Sequence, residues 1–152
     1  MTEIKKLRQP HNVPIDGKDY GLKRWRAYEL AEDYSYQWKK HDKTYRIFIK
    51  AGFKYDGASV PRFVWTLTGI RPDGLIRAAA LIHDWIYVYE GDLPAGSYQM
   101  LVDNKWVNLN MKWTRKNADR IFARIMREAG VKKIRRRAAY RAVRLGGWIA
   151  WR

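Results

Sequence analysis

Two ionisable side chains, His83 and Asp84, sit side by side within the apolar run "AALIHDWIYVYEGD" (79–92), and Tyr87 follows one turn later. On a helix, His83 and Tyr87 share a face with Ile76, Ala79 and Ala80, so the imidazole points towards the core or into a cleft. A partner lies downstream. Asp119, in "NADRIF", borders the apolar stripe of Phe122 and Met126, and a carboxylate at such an edge normally has a partner. If the two helices pack antiparallel, Asp119 reaches His83. A pair of this kind fixes the imidazole tautomer and stabilises the imidazolium, so that the other ring nitrogen can take a proton from water. Asp84, about 100° further round the helix, is suited to a hard cation such as calcium, helped by backbone carbonyls and other carboxylates.

Each residue also has a plainer reading. His83 and Asp119 could form a buried structural pair that locks two helices. Asp84 could be satisfied by an arginine or by backbone amides. Tyr87 could be a core tyrosine with its hydroxyl paired. Ser59, in "DGASVPR", reads first as a helix N-cap, because Pro61 is tolerated in a first helical turn. A Ser59–His83–Asp119 triad is possible, although no G-x-S-x-G elbow surrounds the serine.

The elements that must position these groups follow from periodicity. Residues 1–24 are polar, carry Pro10, Pro14, Gly17 and Gly21, and read as an arm with at most one short strand. Over 25–56, "AYELAEDYSYQW" and "TYRIFIKAGFKY" alternate around "KKHDK", which predicts a β-hairpin with Tyr45, Ile47 and Ile49 on one face. Residues 57–152 read as a helical core. It comprises a short helix through "RFVWTLTG", a long one over 75–89, one after the N-cap Thr114 that ends near Gly130, and a last one through "VKKIRRRAAYRAVRLGGWIAW". Ile121, Phe122, Ile125 and Ala129 would form one buried stripe, and Val131, Ile134, Ala138, Ala142, Leu145 and Ile149 another. Residues 90–113, with "YQMLVDNKWVNLN", read as a short β insertion. The predicted class is α+β in a single domain: an N-terminal antiparallel hairpin or small sheet, then three helices.

The 152-residue chain has no cysteine, which excludes disulfides, zinc–thiolate sites and thiol nucleophiles. Its start lacks the apolar core of a signal peptide and no run has the length of a membrane span, which predicts synthesis and folding in a cytoplasm. With 31 Lys+Arg against 15 Asp+Glu the net charge is +16, which draws the protein to polyanions: nucleic acid, an anionic membrane surface or an acidic protein. Lys132, Lys133, Arg135, Arg136, Arg137, Arg141 and Arg144 make the last helix the candidate anion-binding face, with Tyr140, Trp148 and Trp151 nearby. A solvated outer face is the alternative.

"HDWIY" with a later aspartate in a facing helix resembles the His-Asp-x-x-Tyr helix of the secreted phospholipase A2 family. That likeness implies His83 as water-activating base, Asp84 as calcium ligand, Asp119 as orienter and Tyr87 as a hydrogen-bond partner of Asp119. A broader resemblance covers residues 45–147. "FKYDGASVPRFVW", "AALIHDWIY", "NADRIFARIMREAGV" and "AAYRAVRLGG" together are similar to the domain-of-unknown-function 1353 family of tailed phages and prophages. It implies a phage origin, with synthesis in the host cytoplasm and a possible place in the virion, and no established activity. It also ties "YDGASVP" to the His-Asp helix, so that Asp56, Gly57 and Ser59 would approach His83 and Asp56 would be a second carboxylate for a cation. Two functions from different classes result. One is a hydrolase-like protein acting on a lipid or cell-envelope ester. The other is a non-enzymatic tail, baseplate or connector subunit whose partners are other phage structural proteins. A nucleic-acid-binding accessory protein is the third.

Overall fold

The computed structural model describes residues 7–24, 26–57, 59–60, 64, 77–147 and 151. Among them, seven strands and three α-helices follow the order β1 (Asn12–Asp16), β2 (Arg26–Leu30), β3 (Tyr34–Lys40), β4 (Lys43–Ile49), β5 (Lys54–Tyr55), α1 (Arg77–Val88), β6 (Tyr98–Val102), β7 (Lys105–Asn108), α2 (Arg115–Glu128) and α3 (Lys133–Gly146). A 3-10 turn, Gly17–Tyr20, separates β1 from β2.

The class is α+β, but the expectation of one hairpin with a later insertion is overturned. The strands form two antiparallel sheets, β1-β2-β5 and β3-β4-β6-β7. "AYELAEDYSYQW" is not one strand. It is two, belonging to different sheets, split at residues 31–33, where Ala31 N–H bonds His11 O and the Asp33 carboxylate accepts from Ala51 N–H. The supposed arm supplies β1, which pairs along β2 with Pro14 opposite Tyr28. The supposed insertion supplies β6 and β7, and β6 extends the hairpin sheet by pairing with β4, Tyr45 opposite Met100. What periodicity cannot show is which strand finds which partner, because pairing is decided by contacts distant in sequence.

Local chemistry sets the two tight hairpins. His41 and Asp42 join β3 to β4, and Asp103 and Asn104 join β6 to β7, all four with positive φ. Two-residue hairpins need that conformation, and Asp, Asn and His tolerate it better than most residues. Thr114 caps α2 by accepting from Asn117 N–H. The short helix expected through "RFVWTLTG" and the start of the helix expected at 75 fall outside the described residues, apart from helical Val64.

The core joins Tyr34, Tyr36, Trp38, Ile47 and Ile49 of the four-stranded sheet to α1, α2 and α3. Each fully buried Ile or Leu here contributes roughly 1.5–3 kcal/mol. Helix α1 lies at its centre, with every residue from Ala78 to Tyr87 buried. Its small Ala78, Ala79 and Ala80 let neighbours approach, and neighbours on several sides explain why both His83 and Asp84 are buried although 100° apart. Helix α2 buries Ile121, Phe122, Ile125 and Met126. The stripe expected on α3 is corrected in part: Val131 and Ala142 are buried as expected, but Ile134 and Leu145 are 78% and 79% exposed, and Ala139 and Val143 are buried in their place. The larger apolar residues suggested a face that the helix turns outward. No helix among the described residues is long and apolar enough to cross a membrane.

Candidate active site

Four elements converge on His83. It projects from α1 with no exposed surface, its ring 4.1 Å from that of Tyr87 and 5.0 Å from that of Phe122. Nε2 lies 2.6 Å from Asp119 Oδ1 of α2. Nδ1 lies 2.8 Å from Ser59 Oγ, which comes from the turn after β5. Ser59 Oγ also contacts Asp84 Oδ1. Asp84 Oδ1 accepts from Ser59 N–H at 3.2 Å and Oδ2 from Gly57 N–H at 2.7 Å. Gly57 has φ 70°, a left-handed conformation that glycine adopts freely, and this turns its N–H onto the carboxylate. Arg24 closes the turn from outside: its N–H donates to Asp56 Oδ2, and its guanidinium to Gly57 O and Val60 O.

Asp119 is surrounded by donors. Tyr87 O–H reaches Oδ1 at 2.6 Å, and Arg144 Nη1 of α3 reaches Oδ2 at 2.9 Å. Arg115 stands 4.0 Å from Oδ2 while donating to Val143 O and Arg144 O, so it holds the end of α3 beside the carboxylate. Gly147 fits against the same group, since a Cβ there would lie 2.7 Å from the Tyr87 hydroxyl oxygen.

The charge states follow. Burial alone would raise the Asp119 carboxyl, but the donors from His83, Tyr87 and Arg144 outweigh it and hold the group below the usual carboxylate range. Burial pushes the His83 imidazolium below its ordinary value despite Asp119, so the ring is neutral near pH 7. An ionised Asp119 requires the proton on Nε2, which leaves Nδ1 to accept from Ser59 O–H. Among the described residues, Asp84 has no cationic side chain as a hydrogen-bond partner. Burial, reinforced by nearby Asp56, pushes it up to about 7 against the bonds from Ser59 and Gly57. Near neutrality it carries a proton about half the time and can then donate to Ser59 Oγ. The result is a chain, Asp84–Ser59–His83–Asp119, along which every group has a donor or acceptor to face.

The structure therefore brings together His83, Asp119, Tyr87, Asp84, Gly57 and Ser59. Asp56 stays nearby but turns its Oδ2 to Arg24 N–H. The two carboxylates expected to hold calcium are both engaged by N–H groups. Both oxygens of Asp84 already accept from the turn, and no group of three or more His, Cys, Asp or Glu side chains is placed for a metal among the described residues. The expected anion-binding face also divides. Arg144 turns inward to Asp119, and Arg136 donates to Val131 O. Lys132, Lys133, Arg135, Arg137 and Arg141 are exposed. Arg115, Arg24 and Gly147 were not anticipated, and Arg144 was expected on an outer anion-binding face instead of at Asp119. Nothing in the sequence distinguishes an inward arginine on a basic helix from its neighbours, and only the paired glycines of "LGG" hint at close packing.

Residues 28–143 match the model of a family described as a protein of unknown function, DUF1353. The chain belongs to the DUF1353 family. The matched span contains Ser59, His83, Asp84, Tyr87 and Asp119, and ends at Val143, one residue short of Arg144. No curated protein and no solved structure matches the chain.

Proposed function

We propose that this DUF1353 protein is a phage-encoded, hydrolase-like protein that attacks an ester of a lipid or cell-envelope component with Ser59. The observation that carries this reading is the hydrogen-bonded line Ser59 Oγ–His83 Nδ1 (2.8 Å) and His83 Nε2–Asp119 Oδ1 (2.6 Å). It has the nucleophile–base–orienter order that acyl transfer requires. Ser59 stands where a water activated by His83 would have to be, so the hydroxyl replaces water as the first nucleophile.

As Ser59 Oγ bonds to the acyl carbon, its proton passes to His83 Nδ1 and the carbonyl π pair moves to oxygen. Asp119 stabilises the imidazolium, and Tyr87 and Arg144 keep Asp119 ionised and in place. Collapse of the intermediate expels the alcohol, which takes the proton from His83. Water activated by the same imidazole then releases the acid. Asp84 in its neutral form leaves the Ser59 proton directed at His83.

The reading is tested by labelling the full chain with a fluorophosphonate and following p-nitrophenyl ester hydrolysis. Labelling at Ser59 is expected, lost in Ser59→Ala, with hydrolysis in Ser59→Ala and His83→Gln reduced at least about a thousandfold. A folded parent protein that neither labels nor hydrolyses sinks the proposal.

One observation favours a second reading. His83 and Asp119 have no exposed surface, and their side-chain polar atoms are partnered internally, as in a structural lock. On this reading the protein is a non-enzymatic tail, baseplate or connector subunit. Mass spectrometry of purified particles would then find it, and its absence from them rejects the role.

A further inference from the structure

Away from His83, the four-stranded sheet and α2 diverge to leave an open cleft of 750 Å³, within the roughly 300–1,000 Å³ typical of ligand sites. Its lining includes four aromatic residues, Trp38, Tyr45, Tyr98 and Trp113. Trp38 stacks on Tyr45 and Tyr98 at 5.7 and 6.2 Å between centroids, with interplanar angles of 21° and 7°. This packing fixes the rings before any ligand arrives. Tyr45 and Tyr98 remain half-buried and so offer ring surface to the cleft.

Basic side chains rim these rings. Lys40 and His41 stand at the β3–β4 turn. Arg120, Arg124 and Arg127 recur at helical spacing along one face of α2, and Lys112 and Arg136 complete the lining. No carboxylate lines the cleft among the described residues. Arg124 is already engaged with Glu128 and Lys39 O, but Arg120, Arg127, Lys40 and Lys112 are exposed and make no salt bridge among the described residues. Their charges favour an anionic occupant. A concave wall of fixed rings favours flat, unpaired bases over a membrane surface, and the arginine row suits phosphates.

We propose that this cleft binds single-stranded nucleic acid, with bases against Tyr45 and Tyr98 and the phosphate backbone along Arg120 and Arg127. This site is separate from Ser59 and does not depend on its chemistry. It also moves the anion-binding surface from the outer face of α3 to the gap between α2 and the sheet.

Fluorescence anisotropy of the full chain with a labelled oligothymidylate, over a range of salt concentrations, tests the proposal. A duplex of equal length and vesicles containing anionic phospholipid serve as competitors. The single strand is expected to bind more tightly than the duplex. Arg120→Gln with Arg127→Gln should weaken it at least tenfold and make the log–log salt slope shallower by about 1.4, two phosphate contacts at roughly 0.7 each. Tyr45→Ala should weaken the single strand by about tenfold and leave duplex binding unchanged. The control Lys133→Gln with Arg141→Gln, on the outer face of α3, should have a much smaller effect. Equal affinity for duplex and single strand, an equal loss in the control variant, or displacement by vesicles but not by unlabelled single strand would each overturn the proposal.

Discussion

Asp84 and Asp119 are both buried, both linked to His83, and only one of them holds a secure negative charge. Asp119 receives Tyr87, His83 and Arg144, with Arg115 at its edge, so its charge is matched by donors on α1, α2 and α3. Asp84 receives two backbone N–H groups and the Ser59 hydroxyl, and near pH 7 it is divided between its charged and neutral forms. Burial alone therefore does not fix the charge of a carboxyl group; its nearest donors do. One end of the chain of hydrogen bonds is anchored by charge, and the other can gain or lose a proton.

The largest expected effect comes from the anchored end. Asp119→Asn keeps the shape but removes the charge facing Arg144 and turns its amide NH2, a donor, against either the Arg144 guanidinium or the His83 Nε2–H. Breaking a buried ion pair typically costs about 3–5 kcal/mol; the 30% side-chain exposure of Arg144 lets water recover part of this, so about 2–4 kcal/mol is expected. Urea unfolding of parent and variant measures it. A loss below about 1 kcal/mol would mean that the donors around Asp119 do not hold the helices together.

Gly147→Ala tests the same end by packing instead of charge. Its φ of −68° suits any residue, so the tightest contact of the new methyl group is with the Tyr87 hydroxyl, 2.7 Å away, followed by the Tyr87 ring edge at 3.3 Å and Arg115 at 3.4 Å. Overpacking of this kind costs about 1–3 kcal/mol. Adding Tyr87→Phe removes the clashing oxygen, so the double variant should be less destabilised than the sum of the two single ones. Additive losses in thermal melts would place the strain elsewhere.

The two ends also differed in how far they could be read from the sequence. His83, Tyr87 and Asp119 were legible because helical spacing puts the first two on one face and a carboxylate at an apolar edge demands a partner. Asp84 stood out in the sequence, but a lone aspartate does not reveal whether it meets a cation or the N–H groups of a turn. Arg144 was hidden among the other cations of α3. The sheets divided similarly: tight turns such as His41–Asp42 are local, whereas the pairings of β1 with β2 and of β4 with β6 bring together segments that periodicity treats separately.

The smallest effect belongs to the uncharged end and depends on pH. Because the folded-state value of Asp84, about 7, lies above that of an unfolded aspartate, the folded protein keeps a proton that the unfolded chain releases. Its contribution to stability therefore falls as pH rises from about 4 to beyond 7. His83 acts in the opposite sense, most strongly below about 6.5 and fading out by about 7.5, where the unfolded imidazole takes a proton that the folded one resists. Between pH 6.5 and pH 8 the Asp84 effect, about 0.8 kcal/mol, is partly offset by the tail of the His83 effect, so the parent should lose less than about 0.8 kcal/mol over that interval. Asp84→Asn mimics the neutral acid, because its amide can donate to Ser59 Oγ while its oxygen still accepts from Gly57 N–H, with loss of the longer bond from Ser59 N–H. Its stability should therefore not fall across the same interval, and the difference between parent and variant should change by about 0.8 kcal/mol. Should parent and variant lose stability in parallel between pH 6.5 and pH 8, the titrating group is not Asp84 and the contrast between the two aspartates fails.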